Sequence, residues 1–120
     1  MNYSERFPLL HGFFFNVFNV DWQEDHESED DAIKEDVYDT DAQCTLDTIK
    51  ELDDLIALKL SEPELRSVIV SQFGSGYYPG YTLHTVEEVY DWLRFIRNTM
   101  AKYATEKAKQ EEVASAKSRQ

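Results

Sequence analysis

Four segments of this chain open with a helix-capping pattern and continue with apolar residues at helical spacing. In each, a serine or threonine is followed three positions later by an acidic or amide residue, at Ser28, Thr40, Ser61 and Thr85. Such side chains accept hydrogen bonds from amide groups that the first helical turn leaves free. The pattern predicts four helices. The last carries the longest apolar stripe, which consists of Val89, Trp92, Leu93, Ile96, Met100 and Tyr103.

The three earlier helices each have an apolar face, and these faces are expected to form a shared core. The first face is thin, the second is rich in leucine, and the third is expected to end at Gly74. In chain order the three faces are Ala32, Ile33 and Val37; Leu46, Ile49, Leu52, Leu55, Ile56 and Leu60; and Leu65, Val68, Ile69 and Phe73.

The segment before residue 21 fits either a helix or a strand. Leu10, Phe14 and Phe18 have helical spacing, whereas Phe13 and Phe15 alternate as in a strand. A helix is favoured because the chain has no second convincing strand to pair with it. The expected fold is therefore all-α: one compact domain of about five helices over residues 1–104, with residues 105–120 as a frayed or disordered tail.

Size and cysteine content fit a domain stabilised by its apolar core. The chain has 120 residues, of which 42% are hydrophobic, and such a length can bury a core without staples. Cys44 has no second cysteine to pair with and no metal-ligand spacing around it.

The apolar stretch near the N-terminus is too short to span a bilayer, and no basic segment precedes it. We expect a cytoplasmic protein.

Acidic residues are concentrated in one part of the chain. The net charge is −12, yet residues 21–54 alone contain fifteen acids and two lysines, a charge of −13. Phosphates would be repelled by such a segment, so a nucleic acid is excluded as a direct ligand. A run of acids is often only a solvated face, but the concentration here equally favours a surface that docks a basic protein.

No motif for catalysis or metal binding is present. The three histidines, His11, His26 and His84, are far apart and belong to no recognisable triad. The segment Gly74–Gly76 lacks the further glycine and the lysine of phosphate-binding loops, and the acidic run lacks EF-hand spacing. We therefore predict a binding protein with no cofactor and no metal, not an enzyme.

Aromatic residues outside the helical stripes have two interpretations. Trp22 lies within the acidic run, and Tyr77, Tyr78 and Tyr81 lie in a glycine- and proline-containing loop after Gly74. The loop is expected to be structured and to pack on the domain. Trp22, like Trp92, is expected in the core, although an aromatic residue among acids is also suited to anchoring an interface.

The stretch from Phe13 to Trp22, FFFNVFNVDW, resembles the opening motif of a family of bacterial immunity proteins from contact-dependent growth inhibition systems. Its Phe-x-x-Asp-Trp portion matches well. Val17 stands where that motif usually has an aromatic residue, and Asn19 where it often has histidine. The resemblance covers about residues 7–100. It includes the acidic helix, the leucine-rich helix, the Phe-Gly ending, the Tyr-Tyr-Pro loop and the Trp-Leu of the last helix.

The resemblance implies a cytoplasmic antidote. Such a protein binds the C-terminal toxin domain of an effector delivered by a neighbouring cell and blocks its active site. Many such toxins are nucleases with basic clefts. The acidic run, considered without the resemblance, also favours a basic partner. The motif aromatics are expected to serve the fold. The toxin-binding surface is predicted to comprise Asp21, Glu24, Asp25, Glu27, Glu29, Asp30, Asp31, Tyr77, Tyr78 and Tyr81.

Other functions remain open from the sequence. The chain also fits an acidic adaptor or DNA mimic that sequesters a basic host protein. An enzyme or metalloprotein, and a regulator that dimerises through the stripe of the last helix, are further alternatives. A monomer without membrane contact is favoured.

Overall fold

The chain folds into helices joined by short connections. The computed structural model describes residues 2–19, 21–79 and 85–118, except for the side chains of residues 25 and 113–118. Within these ranges there are seven α-helices and no strand, which confirms the all-α class. They are α1 (Tyr3–Arg6), α2 (Pro8–Val17), α3 (Trp22–Asp25), α4 (Glu29–Asp39), α5 (Ala42–Ala57), α6 (Glu62–Arg66), which continues into a π-helical segment (Ser67–Gln72), and α7 (Val86–Ser118).

The structure has two more α-helices than the sequence predicted, because α1 and α3 are single turns that sequence periodicity does not detect. Pro8 begins α2 and has no amide hydrogen to donate, so α1 and α2 are separate helices. Asn2 caps α1 with its side chain. The segment before residue 21, which fitted either a helix or a strand, contains the helix α2, and this confirms the helix that the sequence favoured.

Three of the four predicted caps are present. Ser28 accepts from the Asp31 amide, Ser61 from Glu64 and Thr85 from Glu88. The fourth prediction was wrong by one residue. Asp41, not Thr40, caps α5 by accepting from the Cys44 amide at 3.3 Å. The reason is that Thr40 ends α4, and its own amide donates to Val37 O.

The predicted inward faces are mostly correct. Every stripe residue named for α7 is buried, as are those named for α4 and for α6 with its π-helical extension. On α5, however, Leu46 is 52% exposed, while Thr45 and Thr48 are buried in its place. The face that α5 turns toward α2 and α7 passes through these two threonines and Leu52, so it lies to one side of Leu46.

Helix α7 is the central element of the packing. It contacts both α4 and α5, and α2 packs against both of those helices. Its 33 residues span about 50 Å at 1.5 Å per residue, which accounts for most of the 56 Å long dimension of the molecule. Beyond residue 104 the helix continues, and Lys107 donates to the carbonyls of Val37 and Thr40 at the end of α4. The domain boundary at residue 104 stays a prediction.

An aromatic cluster fills the core where α2, α7 and the loop after Gly74 meet. The Phe14 ring stacks on Phe73 at 5.7 Å, and Phe18 contacts the rings of Trp22 and Trp92 at 5.6 and 5.9 Å. All five side chains are buried, which confirms the core interpretation of both tryptophans.

Among the described residues, none of the helices combines the length and the apolar character that a membrane span requires.

Candidate functional site

The acidic run places exposed carboxylates on α3 and on the start of α4. It begins at Asp21, passes through the single turn α3, and enters α4 after the cap at Ser28. Buried Trp22 anchors α3 to the aromatic cluster, so the acids that follow are held on a fixed backbone. Of the acids predicted to dock a partner, Asp21, Glu24, Glu27 and Asp31 are exposed, and Asp25 lies in α3.

Two acids of the predicted surface, Glu29 and Asp30, also join α4 to the rest of the fold, and their docking role stays a prediction. The indole Nε1 of Trp92 donates to Glu29 Oε1 at 2.6 Å, and the Tyr103 hydroxyl donates to Asp30 Oδ1. Both carboxylates are partly buried, and both lie in the first turn of α4, where negative charge is favoured. Hydrogen bonding to Asp30, with burial, raises the pKa of Tyr103 to about 12.

The loop tyrosines are packed against the fold. The Tyr77 ring lies 4.9 Å from that of Trp22, and burial, followed by the carboxylate of Glu29, raises the pKa of Tyr77 to about 12. Tyr78 is 4% exposed, and its hydroxyl donates to Glu62 Oε1 at 3.1 Å. Tyr81 lies outside the described residues. As toxin anchors, all three stay predictions.

The described part of the loop is structured, as expected. Gly74 has φ of +71°, which suits the residue that ends a helix. The Gly76 amide donates to the Phe18 carbonyl at 2.7 Å, and the Ser75 hydroxyl donates to the Tyr77 carbonyl at 2.6 Å. The first bond holds the loop against the end of α2, and the second fixes the turn within the loop.

His26, which follows α3, contacts the exposed side of α4. Its Nδ1 atom lies 3.2 Å from Asp31 Oδ2 and 3.3 Å from Glu35 Oε2. The imidazole is 14% exposed, whereas the two carboxylates are 52% and 62% exposed. The ring therefore holds two acids of the α4 face side by side. Among the described residues, no group of three His, Cys, Asp or Glu side chains is arranged to hold a metal ion.

A groove runs between α2 and α4, beside this acidic face. It consists of two adjoining cavities of about 140 and 210 Å³ that share Asn16 and Asp36. We call it the α2–α4 groove. Its α2 wall comprises Pro8, Leu9, Gly12, Phe13, Asn16 and Val17, and its α4 wall comprises Ala32, Glu35, Asp36 and Asp39. The larger cavity is also lined by Thr40 and by Cys44 and Thr48 of α5, and the smaller by His26.

Asp36 is the most perturbed acid of the groove. Burial, with a smaller contribution from the nearby Asp39, raises the pKa of Asp36 from 3.8 to about 6. No hydrogen bond or ion pair joins its carboxylate to another residue in the described ranges. The sequence analysis did not select this residue, because its distinction comes from the approach of α2 to α4. Within the acidic run it is one carboxylate among fifteen.

Comparisons with known proteins agree on one family. A family model described as CdiI immunity protein matches residues 6–100. The fold is similar to one chain of the solved structure described as the crystal structure of a CdiA-CT/CdiI complex from Y. kristensenii 33638. That similarity has a TM-score of 0.71 and 26% sequence identity, and covers 84% of this chain and 99% of the other. Among curated proteins no match was found.

Proposed function

Because this chain belongs to the CdiI immunity protein family, we propose that it binds and neutralises the C-terminal toxin domain of a contact-dependent growth inhibition effector. The match over residues 6–100 is the observation that carries the proposal. The similar structure adds support, since its description pairs CdiI with CdiA-CT in one complex. Neutralisation by binding requires no chemistry from this chain, in agreement with its lack of catalytic motifs.

The toxin domain is proposed to be a basic protein, with a nuclease as the specific candidate. Support comes from the exposed acids Asp21, Glu24, Glu27 and Asp31, which are proposed to form a negative edge along α3 and the start of α4. A nuclease cleft is built to attract phosphates, so such an edge can enter it and exclude the substrate. Charge of this kind accelerates association, while packed contacts determine the dissociation rate.

Glu29 and Asp30 are proposed to act indirectly. Their bonds to Trp92 and Tyr103 fix the first turn of α4 on α7, and that turn carries Asp31 outward. Their contribution to toxin binding is then one of position, since a rigid surface loses less conformational entropy when it binds.

The test is co-expression with the C-terminal domain encoded immediately upstream of this gene. The expected result is a complex that copurifies, together with restored growth of cells that express the toxin domain. A folded chain that neither binds the domain nor restores growth would contradict the proposal. Capture of a basic host protein by that same chain would then favour the acidic adaptor or DNA mimic.

A further inference from the structure

The α2–α4 groove contains two residues that make the free protein less stable than it needs to be. One is Asp36, whose partly buried carboxylate has no hydrogen-bond partner among the described residues. Burial of a charge without a partner is unfavourable. The other is Gly12, in the interior of α2, where glycine destabilises a helix relative to alanine. Residues that lower the stability of the free protein in this way are expected at functional sites.

Close packing does not explain Gly12. A Cβ atom built on it would meet nothing within 4 Å, so an alanine methyl group would fit without a clash. Its Cα lies at the wall of the 210 Å³ cavity, and the missing side chain leaves that cavity open. What Gly12 provides is therefore open space in the cavity that Asp36 also lines.

The groove is small. Its two cavities of about 140 and 210 Å³ together reach only the lower end of the roughly 300–1,000 Å³ of typical small-molecule sites. Apolar surface from Phe13 and Val17 lines one wall, while Asp36 and the Asn16 amide provide acceptors where the cavities meet. A long apolar stem that ends in a planar cation matches this arrangement.

Charge around the groove also favours a cation. Glu35 and Asp39 lie beside Asp36 on α4, and among the described residues no lysine or arginine lines either cavity. His26 lines the smaller cavity, and its Nδ1 already lies between Asp31 and Glu35. Glu51 of α5 accepts from the amides of Leu9 and Leu10, and so holds the start of α2 in place.

We propose that the α2–α4 groove receives an arginine side chain of the toxin domain, with its guanidinium on Asp36 and its stem along Gly12 and Phe13. The inference rests on the proposed function, since it names part of the toxin-binding surface. A guanidinium presents paired N–H donors that match a carboxylate in a bidentate geometry. The unpaired carboxylate of the free protein then gains its partner in the complex.

Two variants of the full chain test the groove without threatening the fold. Asp36→Asn removes the charge, and Gly12→Leu fills the adjacent space. Both are expected to keep or raise the thermal midpoint of the free chain, because one removes an unpaired buried charge and the other a helix-interior glycine. Asp54→Asn, at an exposed position on α5, is the matched control for charge.

The measurement is the binding kinetics of each variant with the C-terminal domain encoded upstream. Asp36→Asn and Gly12→Leu are each expected to raise Kd by about tenfold or more, mainly through faster dissociation. Asp36→Asn removes one member of a desolvated charge pair, and Gly12→Leu occupies the space that the arginine stem would take. Asp54→Asn is expected to bind as the unmodified chain does. Unchanged affinity in either groove variant would overturn the groove proposal while leaving the proposed function intact. Failure of the unmodified chain to bind would overturn both.

Discussion

The indole nitrogen of Trp92 lies 2.6 Å from Oε1 of Glu29, across 63 positions of the sequence. The carboxylate of Glu29 also helps to raise the pKa of Tyr77, in the loop after Gly74. One carboxylate thus joins the start of α4 to the second turn of α7 and acts on the loop after Gly74. An acid that belongs by sequence to a charged run is therefore a structural junction.

Glu29→Ala is expected to lower the free energy of unfolding by about 1–3 kcal/mol, because it leaves the buried Trp92 N–H without its acceptor. Urea denaturation followed by tryptophan fluorescence measures the change. Glu24→Ala, at an exposed position, is the control and is expected to change stability by less than about 0.5 kcal/mol. Equal effects from the two variants would show that the Glu29 bonds contribute little.

Asp36 is expected to make stability depend on pH. Its folded-state pKa of about 6 is above the ordinary 3.8, so the folded chain binds this proton more tightly than the unfolded chain. The stabilisation from the proton is fully present below pH 3.8 and is lost as pH rises through 6.

Relative to the unmodified chain, Asp36→Asn should then be about 1–2 kcal/mol more stable above pH 7 and nearly equal near pH 4. Urea denaturation at several pH values, with Asp54→Asn beside it, measures the difference. A stability gain that stays constant across this range would contradict the assignment of the raised pKa to Asp36.

The exposed acids are expected to accelerate toxin binding. Glu24→Gln with Glu27→Gln changes the net charge from −12 to −10 and should lower the association rate about two- to fivefold at low ionic strength. The loss should shrink in high salt, with the dissociation rate nearly unchanged. Stopped-flow mixing with the toxin domain measures both rates. Glu111→Gln with Glu112→Gln, on the distal part of α7, removes the same charge, and an equal effect there would exclude a local docking role.

Two glycines are expected to respond in opposite directions to alanine. Gly12→Ala should raise the free energy of unfolding by about 0.5–1 kcal/mol, since its Cβ has open space and the position is helical. Gly74→Ala should lower it by about 1 kcal/mol or more. Its φ is +71°, and a Cβ there would lie 3.1 Å from the Phe15 ring. Thermal denaturation of the two variants compares them directly, and a shared sign would contradict these local explanations.

Thr45→Val is expected to be neutral or to raise the free energy of unfolding by up to about 1 kcal/mol. The Thr45 side chain is buried on α5, and its hydroxyl has no hydrogen-bond partner among the described residues. Valine keeps the shape and removes the polar atom. Thr48→Val is the matched comparison and should be less favourable, because the Thr48 hydroxyl donates to the Cys44 carbonyl at 2.8 Å. The reverse order would contradict this account.

The family, the helical class and most of the core could be predicted from the sequence because they depend on short-range patterns. A cap and its amide are three residues apart, and an apolar stripe repeats every three or four. Thr40 shows where such patterns become ambiguous. Two adjacent residues, Thr40 and Asp41, can each cap a helix, and the end of α4 determines that Asp41 does so.

The roles of the individual acids could not be predicted from the sequence, because each role depends on which residues of other helices pack against that acid. Glu29 and Asp30 bond to residues 63 and 73 positions away, whereas Asp31 in the same turn faces solvent and His26. Asp36 differs from its neighbours only because α2 covers it. The sequence by itself determined that the chain is helical, acidic and of this family. Only the tertiary structure decided which carboxylates hold the fold and which remain available to a partner, since burial and long-range hydrogen bonds arise when helices pack.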